Sequence, residues 1–208
     1  MKYLALLPLL PVAAFADAPQ FSPQSLPVDH VYSGPWEHFV GGGVAVMDCN
    51  GDARPDLFAA GGEGPARLFI NASAPGGSLE FAPGTLPETT GVTGAYPIDI
   101  NGDGLQDLVV LRAGANAIWQ GGADCGFSDV TAAWGIDPGA AWSTAFTATW
   151  EPGNSWPTLV VGNYVDRADP NGPFEACDSH QVFRPNGEGY GAAMALEPVL
   201  HPVDAVLR

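Results

Sequence analysis

The fold is decided by DCNGDARPDL at residues 48–57, which recurs fifty-one residues later as DINGDGLQDL at residues 99–108. Each stretch carries oxygen-bearing side chains at positions 1, 3, 5 and 9 and ends on leucine. A short apolar run begins at the final leucine of each copy, at residues 57–60 and 108–111, and such runs are typical of buried strands. Two copies at one period predict a repeat protein in which this stretch is a loop joining two strands.

The spacing of these oxygen atoms is that of a calcium loop. Ca2+ takes roughly 6 to 8 oxygen ligands at about 2.3 to 2.6 Å, and alternate residues of a curled loop direct their carboxylates inward together. A backbone carbonyl at position 7 is expected to join each shell. The predicted ligands are Asp48, Asn50, Asp52, the carbonyl of Arg54 and Asp56 in the first loop, and Asp99, Asn101, Asp103, the carbonyl of Leu105 and Asp107 in the second.

Two other interpretations of the loops compete with this one. An EF-hand requires a bidentate Glu at position 12 and flanking helices, whereas Ala59 and Val110 stand at position 12 here. A hairpin turn without metal also uses Asp, Asn and Gly. Duplication with the fourth Asp retained favours metal, and Gly104 in the place of Ala53 favours the second loop slightly.

The first sixteen residues have the features of a secretory signal peptide: Lys2, an apolar core at residues 3–15 and a small-x-small site at residues 14–16. Cleavage after Ala16 predicts a secreted or periplasmic protein. No later segment approaches the roughly 20 apolar residues that a transmembrane helix requires. The mature chain is expected to contain a lead-in segment at residues 17–38 and an incomplete set of repeats at residues 39–208.

Composition agrees with an exported all-β protein. The chain has 27 Gly and 20 Pro, and only 14% of its residues are charged, which disfavours long helices. The net charge of −16 argues against nucleic acid or an anionic membrane surface as partner and favours cation binding. An acidic surface that only keeps the protein soluble is the alternative, and the two are compatible.

Cysteine pairing stays open at this stage. An oxidising compartment favours disulfides, but the chain has three cysteines. Cys125 and Cys177 lie about one repeat apart and are a candidate pair between neighbouring units. Cys49, at position 2 of the first loop, is expected to point away from the ion, and none of the three is expected to be catalytic.

A third unit keeps the period but has lost the ligands. Its loop has Trp150, Pro152, Asn154 and Thr158 at positions 1, 3, 5 and 9, which predicts a metal-free hairpin. Each unit is expected to hold about four short strands. An insertion at residues 165–180 is predicted to form a loop, often a binding element in repeat proteins, and residues 187–208 are expected to link into a fourth unit.

The chain resembles the FG-GAP or VCBS-type repeats of the cartilage acidic protein family. The resemblance rests on GGGVAVMDCNGDARPDLF at residues 41–58, ARLFIN at 66–71 and GFSDVTAAWGI at 126–136, with VGNYVD at 161–166 and CDSHQVFR at 177–184 resembling the third repeat. It implies a partial β-propeller of three to four four-stranded blades with calcium-binding hairpin loops, like those of integrin alpha subunits. Because such propellers usually close with about seven blades, the resemblance also implies either a fragment, with missing C-terminal blades as partners, or a propeller that cannot close alone.

Two classes of function remain after these observations. The first is a non-catalytic, exported calcium-binding module for protein or glycan binding or adhesion, with the insertion and nearby loops as contact surface. The second is a propeller-type hydrolase or a lectin-like accessory domain of an extracellular enzyme. Nearly every clustered acid is assigned to a calcium loop, and Asp178 with His180 is the only spare pair. The four histidines, at 30, 38, 180 and 201, are scattered in the sequence, and loop histidines are more often solvated than ligands. The binding module is therefore preferred.

Overall fold

The computed structural model describes residues 18, 20–39, 42–170, 172–173 and 176–197. The predicted signal peptide at residues 1–16 and His201 lie outside these residues. The described chain is all-β, with two 3-10 helices of one turn at Trp36–His38 and Ala123–Cys125. No helix in the described ranges has the length and apolar character needed to cross a membrane.

Twelve strands of the described chain form three separate four-stranded antiparallel sheets. The strands follow one another in sequence order within each sheet. The prediction of units of about four strands is therefore confirmed. The first sheet contains β1 (Val44–Met47), β2 (Asp56–Ala59), β3 (Arg67–Asn71) and β4 (Phe81–Pro83). The second contains β5 (Val92–Ile98), β6 (Asp107–Arg112), β7 (Ala117–Gly121) and β8 (Phe127–Asp129). The third contains β9 (Ser143–Thr149), β10 (Thr158–Asn163), β11 (His180–Phe183) and β12 (Met194–Leu196).

The three sheets lie side by side, and their first strands contact one another. Strand β1 contacts β5, and β5 contacts β9. Thr93 near the start of β5 donates its hydroxyl to the carbonyl of Ser143, the first residue of β9, at 2.7 Å. The first strands of the second and third sheets therefore begin at the same end, and the loops that follow them lie together at the other end.

Two apolar cores fill the spaces between consecutive sheets. Phe58 and Leu68 of the first sheet meet Trp119 of the second in one core. The other core joins the opposite face of the second sheet to Leu159 and Phe183 of the third. Strand β6 is buried from Asp107 to Leu111 on both faces, which explains why its sequence is a continuous apolar run and not an alternating one.

The two outer faces of this array are covered to different degrees. On the first sheet, the lead-in places the ring of His30 at 6.4 Å from Phe69, and Phe69 is only 1% exposed. On the third sheet, Met194 and Leu196 are 53% and 51% exposed. The lead-in therefore covers part of the outer face of the first sheet, whereas the outermost strand of the third sheet is exposed to solvent.

The disulfide corrects the candidate pairing. Cys49 bonds Cys125, with their Cα atoms 4.8 Å apart, and Cys177 is a free thiol of intermediate burial. The candidate bond between Cys125 and Cys177 is therefore not formed. Cys125 follows β7 at the loop end of the second sheet and shares a core with Cys49, whereas Cys177 pairs with Val165 in the connection from β10 to β11, at the opposite end. The sequence separation of the cysteines did not reveal at which end of its sheet each cysteine lies.

Two other boundaries differ from the sequence prediction. The stretch at residues 187–208 does not only leave the third unit, because Met194–Leu196 forms its outermost strand and pairs with β11. The insertion ends one residue earlier than predicted, since His180 is the first residue of β11. Both differences arise because a three-residue edge strand and the first residue of a strand carry too little periodicity to be distinguished from loop.

Candidate metal-binding loops

The first two loops lie at the same end of neighbouring sheets and touch each other. The loop of residues 48–55 connects β1 to β2, and that of residues 99–106 connects β5 to β6. The backbone N–H of Asp48 donates to Oε1 of Gln106 at 3.0 Å. Position 8 of the second loop thus holds position 1 of the first.

Positions 1 and 3 converge in the same way in both loops. In the first, the N–H of Asp52 is shared between Oδ1 of Asp48 at 3.0 Å and Oδ1 of Asn50 at 3.2 Å. In the second, the N–H of Asp103 is shared between the corresponding oxygens of residues 99 and 101, at 3.2 and 3.0 Å. Because one hydrogen serves both acceptors, two side-chain oxygens lie next to each other in each loop.

The carboxylate at position 5 accepts from the amide of position 3 and the N–H of position 7 in both loops, and only in the first does it also bind a guanidinium. Asp52 accepts from the guanidinium of Arg54, at 2.5 Å from Nη2 and 3.0 Å from Nε, and this bond is the main reason that its pKa is lowered. Asp103 accepts from the N–H of Leu105 at 2.9 Å and from the amide of Asn101 at 2.8 Å; these neutral donors lower its pKa. A cation at the first loop would compete with a guanidinium, and at the second it would not.

Position 9 of the first loop is a buried brace between strands. Asp56 is fully buried, and its Oδ2 accepts the N–H of Cys49 at 3.0 Å. Its Oδ1 accepts the N–H of Asn71, the last residue of β3, at 2.8 Å. One carboxylate therefore holds the start of the loop and the end of a neighbouring strand.

The second loop repeats this brace with different neighbours. Asp107 accepts the N–H of Ile100 at 2.9 Å and the N–H of Gly121, the last residue of β7, at 2.9 Å. Burial is the main reason that the pKa of Asp107 rises to about 6, and the nearby carboxylates Asp99 and Asp103 add to the rise. Gly121 is required here, because a Cβ at this residue would clash severely with the carbonyl oxygen of Gln106.

The third hairpin keeps the connection but changes every member of the brace. Strand registers place Thr158 opposite Thr149 and Leu159 opposite Phe183, so Pro185 stands where Asn71 and Gly121 stand in the other sheets. Proline has no N–H to donate, and the acceptor Asp is replaced by Thr158. Its hydroxyl donates to Oε1 of Glu151 at 3.0 Å.

Glu151 occupies position 2 of this hairpin and has a second partner. The Nε of Arg184 lies 3.7 Å from Oε1 of Glu151, and Arg184 directly follows β11. A carboxylate from the loop and a guanidinium from the strand end thus replace the carboxylate and backbone amide of the first two sheets. The sequence prediction of a hairpin at this place is confirmed, and its lack of metal stays a prediction.

The donor set of the first two loops suits a hard cation. Carboxylate and amide oxygens supply positions 1, 3 and 5, and in the described residues no donor bonds the carbonyl oxygens of Arg54 and Leu105. The position-9 carboxylates are less simple, since backbone amides already occupy both oxygens of each. In the described part of the chain, the only three acidic, Cys or His ligand atoms within 4.8 Å of one another belong to Cys49, Asp56 and Cys125. Both of these sulfurs are in the disulfide, so this group is a structural cluster and not a metal site.

A comparison with protein families agrees with the repeat. A model described as FG-GAP-like repeat matches residues 48–110. An FG-GAP-like repeat spans these residues. The FG-GAP-like match begins at the first loop, includes the second and ends within β6. A search of curated proteins finds no match, and the narrower resemblance to the cartilage acidic protein family stays a prediction.

The histidines and the spare acid are placed by the fold as follows. His180 accepts the N–H of Asn163 with Nδ1 at 3.2 Å. Burial is the main reason that the pKa of Asp178 is raised. His30 lies 2.8 Å from the carbonyl oxygen of Ala60, and His38 is only 6% exposed. The expectation that these histidines are solvated is wrong for His38, which is buried beside Tyr32 and Gly34 of the lead-in.

Sequence reasoning missed the double role of the loop ends. It grouped Asp56 and Asp107 with the loop ligands at positions 1, 3 and 5, and did not predict that both carboxylates hold the end of a neighbouring strand. The available signal was the joint change in the third unit, where the acceptor Asp becomes Thr158 and the donor position becomes Pro185. Recognising it requires the register of the third strand, which an insertion of unequal length hides.

Proposed function

We propose that the protein is an exported calcium-binding β-propeller repeat module that binds a protein or glycan and has no catalytic role. The observation that carries the calcium part is the position-5 amide shared by two side-chain oxygens, which occurs with the same partners in both loops. A loop closed in this way keeps its oxygens together before any ion arrives. The FG-GAP-like repeat at residues 48–110 and the three consecutive four-stranded sheets support the propeller part.

Calcium would be held at positions 1, 3 and 5 and by the carbonyl at position 7, with position 9 contributing where its carboxylate is free of backbone amides. Bound calcium would neutralise the carboxylates crowded into each loop and link the ends of two strands. The chain itself already does part of this work, because loop amides and Arg54 partly compensate the same carboxylates. Calcium is therefore proposed as a stabiliser of a loop whose shape is built by its own hydrogen bonds.

Further sheets of the same kind are the proposed neighbours of the third sheet. In the second sheet, Val109 and Ile118 are buried against the third. By strand register their counterparts in the third sheet are Val160 and Val182, which are only partly buried. These side chains fit the packing of another blade, supplied by the remainder of a longer propeller.

A thermal melt with calcium and with EDTA tests the proposal. A native-state ligand stabilises by RT ln(1 + [L]/Kd), about 2.7 kcal/mol for one site at a hundredfold excess over Kd. We expect a cooperative transition that moves to higher temperature in calcium. A transition at the same temperature in both conditions would refute the calcium site.

Asp103→Ala and Asp52→Ala separate the two loops in the same assay. Asp103→Ala should remove the calcium response of the second loop and leave that of the first. Asp52→Ala should do the reverse, and should also release Arg54. If neither substitution changes the calcium response, these carboxylates are not ligands.

A further inference from the structure

A second candidate site lies at the end of the sheets opposite the acidic loops. Strand β10 starts at the loop end and finishes at Asn163, so the insertion that follows emerges at the far end. The lead-in reaches the same place, where Glu37 lies 3.9 Å from Arg167 of the insertion. Two segments distant in sequence therefore form one surface.

A cleft of about 260 Å³ separates these two segments. Trp36 from the lead-in and Arg167 from the insertion face it together with Asp166, and Val165 contributes an apolar wall. Its volume is slightly below the about 300–1,000 Å³ of ordinary ligand pockets. The cleft therefore suits one small ring or the end of a longer chain.

Trp36 is held rigidly although it is 46% exposed. Its ring packs edge-on against Trp142 with centroids 4.9 Å apart, and Trp142 in turn packs against Tyr164 at 5.0 Å. Trp142 is fully buried, so the row has a fixed centre. An indole fixed in this way offers a preformed apolar platform that a ligand does not have to order.

Polar atoms beside this row lack partners within the described chain. They are Nε1 of Trp142, Oε2 of Glu37 and both ring nitrogens of His38. Buried polar groups are normally hydrogen-bonded, and an unpaired one indicates an unseen water, ion or ligand. Trp142 and His38 are 0% and 6% exposed, so bulk solvent does not satisfy them. Glu37 lies beside Arg167 and Trp142 packs on Trp36, so two of these residues are direct neighbours of residues that line the cleft.

We propose that this cleft binds a neutral saccharide. A sugar ring presents an apolar face that stacks on an indole and hydroxyl groups that bond carboxylates and a guanidinium, the three groups that Trp36, Asp166 and Arg167 supply. The net charge of −16 repels polyanionic glycans over the whole surface. The inference rests on the proposed binding function and specifies its ligand class and its site.

A glycan array tests this inference with the full chain. The probes are immobilised neutral oligosaccharides of gluco, manno, galacto and xylo configuration, beside sulfated and sialylated ones. We expect binding to at least one neutral saccharide, and a loss of affinity of at least tenfold with Trp36→Ala. Arg167→Ala, which changes a half-exposed side chain, should weaken binding several-fold without altering the melting temperature.

Trp150→Ala is the matched control, because Trp150 is also exposed, by 53%, but lies at the loop end. It should bind as the wild type does. Binding to none of the neutral saccharides, binding only to anionic ones, or equal loss with Trp36→Ala and Trp150→Ala would each overturn the inference. Calcium stabilisation in the melt is a separate readout, so a failure here leaves the calcium proposal standing and a failure there leaves this one standing.

Discussion

The first two loops and the third hairpin solve one structural problem with different residues. In each of the first two sheets a buried Asp joins the loop start to the end of the third strand through two backbone amides. In the third sheet Pro185 offers no amide, and Glu151 instead contacts Thr158 and Arg184. The third hairpin thus has a link of different residues, although the side chains at positions 1 and 3 carry no carboxylate or amide oxygen. All three sheets therefore have a side-chain link between the loop and the strand ends, and the oxygen-rich loop accompanies it in the first two.

The two acidic loops also differ from each other. The first has a guanidinium on its position-5 carboxylate and a disulfide at position 2. The second has only the neutral donors that both loops share at position 5, and Ile100 at position 2. The first loop thus has a disulfide and an ion pair in addition to the hydrogen bonds that both loops share.

Removing the disulfide should have the largest effect. Cys49 and Cys125 are separated by 76 residues, and closing a loop of this size is worth about 4 kcal/mol in the chain-entropy model. The double variant Cys49→Ala with Cys125→Ala should lose this amount of unfolding free energy in a denaturant titration in EDTA. Cys177→Ala is the control and should be nearly neutral. Equal stability of the double variant and the wild type would mean that the first loop is no more firmly fixed than the second.

Asp107→Ala should cost somewhat less, about 3 kcal/mol. It leaves two buried amides, of Ile100 and Gly121, without an acceptor, and each unpaired group costs about 1–3 kcal/mol. Thr158→Ala at the corresponding place should cost only about 1 kcal/mol, because Arg184 still contacts Glu151. Denaturant unfolding in EDTA measures both.

The pH dependence of the stability difference between the wild type and Asp107→Ala provides a further test. The folded-state pKa of Asp107 is about 6, raised from 3.8, so the folded protein holds this proton more tightly than the unfolded chain. Its contribution to stability is fully present below about pH 4 and is lost as the pH rises through about 6. The stability gap between the wild type and Asp107→Ala should therefore be wider at pH 4 than at pH 7. A gap that widens with pH would show that the carboxylate is favoured in its ionised form.

The smallest effect is expected from exchanging residues at position 6. Ala53 has φ 61° and Gly104 has φ 86°, in the left-handed region that costs an L-residue about 1–2 kcal/mol. Ala53→Gly should stabilise the protein by about 1 kcal/mol, and Gly104→Ala should destabilise it by a similar amount. A Cβ at Gly104 meets no atom within 4 Å, so backbone strain alone is tested. Changes of the same sign would show that the loops differ in backbone shape.

The local sequence pattern predicted the hairpins and most of the strands. The loop pattern at a fifty-one-residue period located the hairpins of all three sheets, including the third where only Gly153 and the following strand remain. Strands such as β6 and β10 were predictable because a run of branched apolar residues between glycines leaves few other conformations. The edge strand β12 was not, because three exposed residues carry no burial signal.

The sequence by itself determined the repeat, the all-β class and the convergence of oxygens at positions 1 and 3, because these depend on residues within about ten positions of each other. Only the tertiary structure decided which cysteines pair, which strand end each buried Asp braces, and that the lead-in meets the insertion. These contacts join residues that are far apart in the sequence, such as Cys49 with Cys125 and Glu37 with Arg167. They depend on the end of the sheet at which each connection emerges, which spacing along the chain does not encode.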